Sequence, residues 1–104
     1  MVERSHQRFP TSLPGALMAP DGPHIIRSMD LSRSGCRIQN TVQLVPGMTI
    51  SLFLVPPGED TPIVIQDANV RWAGAEGIGI EFQAVEFQNL QRLDLLIDQL
   101  RKTP

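Results

Sequence analysis

The stretch IVIQDANVRWAGAEGIGIEF, residues 63–82, decides the fold class. Residues 63–73, IVIQDANVRWA, read as a long strand, with Val64, Ala68, Val70 and Trp72 expected on one side. Gly74, Ala75, Glu76 and Gly77 then turn the chain, and IGIEF (78–82) runs back along it.

Moving outward, the same grammar recurs. MTISLFLV (48–55) sets Met48, Ile50, Leu52 and Leu54 against a mixed face, the period of a half-buried strand. Pro46-Gly47 precedes it and the loop PPGED (56–60) follows it. Nearer the start, TSLPGALMA (11–19) is a strand disturbed by Pro14 and Gly15, which suits an edge or a bulge. Asp21-Gly22 is a hairpin signal, PHIIRSMD (23–30) a second strand, and Cys36 to Ile38 a short third one. Six short strands with frequent turns predict a mainly β fold, a six-stranded antiparallel β-barrel over 11–83. The tail EFQNLQRLDLLIDQLRK (86–102) has no Gly or Pro and repeats Phe87, Leu90, Leu93, Ile97 and Leu100 at helical spacing. It predicts a C-terminal α-helix covering one face or mouth of the barrel. Glu86 suits the positive end of its dipole, and Arg101 and Lys102 the negative end. The apolar stripe serves either the chain's own core or a second copy.

Length allows one domain, residues 1–104. The net charge of −2 argues against general binding to nucleic acid, where a basic excess is usual. The cations are nonetheless unevenly placed. Arg4, Arg8, Arg27, Arg33 and Arg37 all fall in the first 37 residues, beside only three acids, Glu3, Asp21 and Asp30. Such a front end can grip one small anion, because the guanidinium fork pairs bidentately with phosphate and with guanine. A single cysteine, Cys36, excludes an intrachain disulfide and reads as a small buried residue. No apolar run reaches the length of a membrane span, and MVERSHQRFP lacks the core of a signal peptide. The expectation is a cytoplasmic protein that does not insert into a membrane. His6 and His24 lack companions at metal-ligand spacing, so no metal is expected. No nucleophile elbow, paired-carboxylate pattern or glycine-rich phosphate loop is present, so neither catalysis nor a cofactor is expected.

RSHQR (4–8) and DLSRSG (30–35), taken together, resemble the signatures of the PilZ domain family. RSHQR (4–8), followed by Phe9-Pro10, is similar to the family's RxxxR. DLSRSG (30–35) is similar to its [D/N]xSxxG. VRWAGAEGIGIEF (70–82) looks like the last strands of its barrel. The resemblance implies a receptor for cyclic di-GMP, with Arg4, Arg8, Asp30, Ser32 and Gly35 at the ligand. In that picture the two arginines ride on a flexible leader, residues 1–10, and Asp30, Ser32 and Gly35 lie on the barrel surface. Arg4 and Arg8 would donate to guanine O6 and N7 or to phosphate, and Asp30 would accept from guanine N1–H and N2–H. Glu3, Arg33, Arg37, Arg71 and Trp72 are secondary candidates. Arg33, Arg37 and Arg71 serve either phosphate or the plain surface, and Trp72 either the barrel or the ligand. The implied role is a receptor or adaptor, not an enzyme, that passes the signal to an unknown protein effector in motility or biofilm control. A scaffold that no longer binds nucleotide is the alternative. Monomer and weak homodimer both remain open.

Overall fold

The computed structural model describes residues 8–27, 29–39 and 43–102. Eight strands precede one helix: β1 (Phe9–Thr11), β2 (Gly15–Ala19), β3 (Gly22–Ile26), β4 (Met29–Leu31), β5 (Gly35–Ile38), β6 (Thr49–Leu54), β7 (Ile63–Gly74), β8 (Gly77–Ala84) and α1 (Phe87–Lys102). All pairings are antiparallel, in the order β1-β4-β5-β8-β7-β6-β2-β3.

The mainly β class and the terminal helix agree with expectation; the six-stranded closed barrel does not. The run 23–30 is two strands, not one. β3 pairs only with β2 at one end of the sheet, whereas β4 lies between β1 and β5 near the other. Only three peptide steps separate Ile26 from Met29, so they stand at most about 11 Å apart. The sheet must therefore curl until its two ends approach, yet no ladder joins β3 to β1 among the described residues. The eighth strand comes from Phe9–Thr11, where Phe9 and Pro10 were expected in a flexible leader. Phe9 packs against the core, and Pro10 and Thr11 pair with Asp30 and Met29. Proline is tolerated there because β1 has a neighbour on one side only. Residues 1–7, the rest of the expected leader, lie outside the described residues.

The core gathers Leu17, Leu31, Leu52, Leu54, Ile63, Ile65, Val70, Ile78 and Leu93, all shut off from solvent. On β6 the buried set Ile50, Leu52 and Leu54 matches the expected alternation. On β7 it does not. Ile63 and Ile65 point inward, then Ala68 and Val70, so the phase changes between them. The cause is a bulge: Ile50 faces Ala68, but Leu52 faces Ile65, which leaves one extra residue on β7. A second irregularity lies between Val70 and Trp72. Val64 is consequently half-buried on the other face, and Trp72 is 38% exposed instead of lining the core.

The helix begins one residue later than expected, with Glu86 contributing the carbonyl that accepts the first helical N–H, from Leu90. Leu93, Leu96 and Ile97 are buried, and Arg101 and Lys102 occupy the last turn as expected. Phe87, counted in the apolar stripe, is 71% exposed. α1 packs against β7 and β1. Arg92 donates to the carbonyls of Pro62 and Thr61, Asn89 Oδ1 accepts from Val64 N at 3.1 Å, and Arg33 Nε meets Asp94 Oδ1 at 2.6 Å. These bonds seat the helix between the β6–β7 loop and the β4–β5 turn. No described helix is long and apolar enough to cross a membrane.

Two outcomes test this packing. Leu52→Ala, which empties a fully buried site, should cost about 2–5 kcal/mol in urea unfolding. Ile25→Ala, at a 69% exposed position, should stay within about 0.5 kcal/mol of the parent. Burial pushes the Cys36 thiol up to about 12, because the thiolate cannot be solvated there. Below that pH the group stays protonated. A thiol reagent at pH 8 should therefore leave the folded protein unlabelled and react fully once it is unfolded.

Candidate functional site

The ladder places residues distant in sequence along one line. Pro10 faces Asp30, Asp30 faces Arg37, Arg37 faces Gly79, and Gly79 faces Trp72. This row crosses β1, β4, β5, β8 and β7 on the face away from the core. The adjacent row Phe9, Leu31, Cys36, Ile80 and Val70 points inward, as alternation along a strand demands.

Along the outer row, Asp30 and Arg37 form an ion pair, with Nε of Arg37 3.0 Å from Oδ2 of Asp30 and Nη2 on the same oxygen. Nη1 of Arg37 donates to the carbonyl of Glu76 at 2.8 Å, in the β7–β8 turn. Beyond Arg37 the sheet surface is bare backbone at Gly79, and the indole of Trp72 covers it. A β-carbon on Gly79 would stand 2.2 Å from Cε2 and Nε1 of that ring. Glycine is therefore what lets the ring lie down on β8.

A groove of about 660 Å³ opens over one end of the row, lined by Pro10, Ser12, Asp30, Arg37, Gln39 and Glu76 among others. A second cleft of about 400 Å³ lies by Trp72, Gly74, Ala75 and Glu76, so Glu76 borders both. Aspartate offers an acceptor that arginine holds in place, and tryptophan offers a flat aromatic surface. That set suits a planar heterocycle with an N–H edge.

The turn between β4 and β5 has a different character. Ser32 is 3% exposed. Its hydroxyl donates to the Gly35 carbonyl at 3.1 Å and accepts from Ser34 N at 3.3 Å and Gly35 N at 3.2 Å. Its own N–H donates to the Gly35 carbonyl at 2.8 Å. The side chain thus closes the turn on itself. Gly35 is equally constrained, since a β-carbon there would sit 2.3 Å from the Ile80 carbonyl oxygen.

The remaining candidates divide. Arg8 is exposed just before β1, and its positive charge opposes the upward push that burial gives the Cys36 thiol. Arg33 turns to the helix, and Arg71 reaches Glu81 at 3.2 Å. Glu3 and Arg4 lie outside the described residues. Asp30, Arg37 and Trp72 are thus brought into one row, and Arg33 and Arg71 are held away from it. Gly79, Gln39 and Glu76 were not singled out from sequence. Glu76 enters through its backbone carbonyl, which leaves no mark in residue type, and Gly79 through an absent side chain whose use only the cross-strand neighbour Trp72 reveals.

No curated protein sequence matches the chain. Among solved structures, the Bacillus subtilis inhibitor of motility (MotI/DgrA) is similar, with a TM-score of 0.68 and 20% identity. The superposition covers 99% of this chain and 54% of that one, so this chain spans about half the length of its neighbour. At that identity the likeness speaks for the fold alone. A family model, described as PilZ domain, matches residues 3–99. Since that match takes in RSHQR, DLSRSG, every strand and nearly all of the helix, the chain belongs to the PilZ domain family.

Proposed function

We propose that the chain is a receptor for cyclic di-GMP, bound on the outer face of β1, β4, β5 and β8. The observation that carries this reading is the outer row, which sets a carboxylate, a guanidinium and an indole side by side next to a groove. PilZ domains are in general cyclic di-GMP receptors with no catalytic step, and the groove fits that role. Asp30 accepts from the guanine N–H edge. Arg4 and Arg8, on the segment leading into β1, close over the ligand and meet phosphate and the guanine O6 and N7. Trp72 stacks on a base. Ser32 and Gly35 hold the turn that presents Asp30. Ordering of the arginine segment changes the surface, which a protein effector reads. The similar structure is named an inhibitor of motility, which agrees with action through protein contacts and with a role in motility or biofilm control. A cytoplasmic setting, no covalent chemistry and no cofactor other than this ligand complete the proposal.

A scaffold that acts without nucleotide is the second reading. One observation favours it: Ser32 and Gly35 have complete structural roles in the turn, so the motif can persist for folding alone.

Isothermal titration with cyclic di-GMP separates the two, because the receptor should give saturable heats at micromolar ligand and the scaffold none. Arg8→Ala and Asp30→Ala should each weaken binding by about tenfold or more while far-UV circular dichroism stays unchanged, the loss of about 1–3 kcal/mol per bidentate contact. Ligand should also quench Trp72, the sole tryptophan. Gly79→Ala should lift the indole off β8, shift its emission and weaken binding. Unchanged emission in that variant would mean that the ring does not rest on Gly79.

A further inference from the structure

Asp30 does not choose its own orientation. Arg37 reaches across the β4–β5 pair and sets two donors, Nε and Nη2, on a single carboxylate oxygen, Oδ2. Its other amino group is tied to the Glu76 carbonyl, 2.8 Å away in the two-residue turn that ends the Trp72 hairpin. The stem is confined too. Its Cγ lies 3.5 Å from where a β-carbon on Gly77 would stand, and Gly77 itself holds φ +123. Three of the five guanidinium N–H groups are therefore committed to two rigid elements. These three groups are spent on acceptors of the protein itself. The opposite oxygen, Oδ1 of Asp30, has no hydrogen-bond partner among the described residues.

We propose that Arg37 is a positioning residue for base recognition. It contacts no phosphate. It locks the Asp30 carboxylate so that Oδ1 faces the N1–H and N2–H edge of a guanine. Through Glu76 it also sets the gap between that acceptor and the Trp72 ring. Arg37 thereby governs which base is accepted, although it does not touch the base. A hypoxanthine, which lacks the N2 amine, forms only part of the contact and binds less well to a correctly held carboxylate. The inference rests on the cyclic di-GMP reading above.

A double-mutant cycle on the full chain tests it. Titrations of wild type, Arg37→Gln, Asp30→Ala and the double variant use cyclic di-GMP and its hypoxanthine analogue, cyclic di-IMP. Arg37→Gln should lose about tenfold in affinity for cyclic di-GMP, and its preference over cyclic di-IMP should fall toward one. In the Asp30→Ala background the same change should alter affinity by less than about twofold, because its target is already gone. Arg37→Lys keeps the charge but cannot place paired planar donors, so it should resemble Arg37→Gln. Equal losses in both backgrounds would mean that Arg37 meets the ligand directly, and overturn the proposal. So would full rescue by lysine, or an unchanged base preference. A wild type that gives no heat at all sinks the receptor reading and this inference with it; a binding wild type with an additive cycle sinks the inference alone.

Discussion

Cross-strand register is the constraint on which the surface of this domain depends. Leu31, Cys36, Ile80 and Val70 face one another through β4, β5, β8 and β7, and each is at most 4% exposed. Slipping any of these strands by one residue would move its apolar set into water and its polar set into the core. Burial of the inner row therefore dictates the outer one. Asp30, Arg37, Gly79 and Trp72 are aligned because their neighbours must be hidden. The outer face acquires its geometry from the interior at no separate cost in ordering.

The turn from Ser32 to Gly35 shows how a short motif can fix local structure. Its buried hydroxyl satisfies backbone groups that strand pairing cannot reach, and the missing side chain at Gly35 admits the Ile80 carbonyl. This turn joins β4, which carries Asp30, to β5, which carries Arg37. From the same turn Arg33 extends to Asp94 on α1. The face that carries the candidate site and the helix that packs on β7 and β1 are thus joined through one ion pair as well as through the core. Both partners of that pair are nearly half exposed, so its worth is small in energy and lies in geometry.

Some elements were legible residue by residue. The alternation of Ile50, Leu52 and Leu54 named β6 and its buried face, and the Asp21-Gly22 and Gly74–Gly77 signals named two hairpins. Others were not. Nothing in IVIQDANVRWA marks where the strand changes phase, because the bulge exists only against the partner residues Ile50 and Leu52. The break between β3 and β4 falls at Arg27-Ser28, which carries no Gly or Pro to signal it, since which neighbour each half pairs with is a matter of curl and not of composition. Of the site, Asp30 was visible through its motif, whereas the ion pair that holds it joins strands whose alignment no local pattern reveals.

Taken alone, the chain of residues determined what local chemistry can determine: a β-rich domain, a terminal amphipathic helix, and the motifs that carry the family likeness. Those follow from side-chain period, turn preference and residue type, each confined to a few neighbouring positions. Only the folded structure decided that eight strands form an open curled sheet, that Trp72 lies on Gly79, and that Arg37 grips Asp30. Each of these needs two segments far apart in sequence to meet at one register. That meeting is enforced by the shared burial of the core, which no single segment can encode by itself.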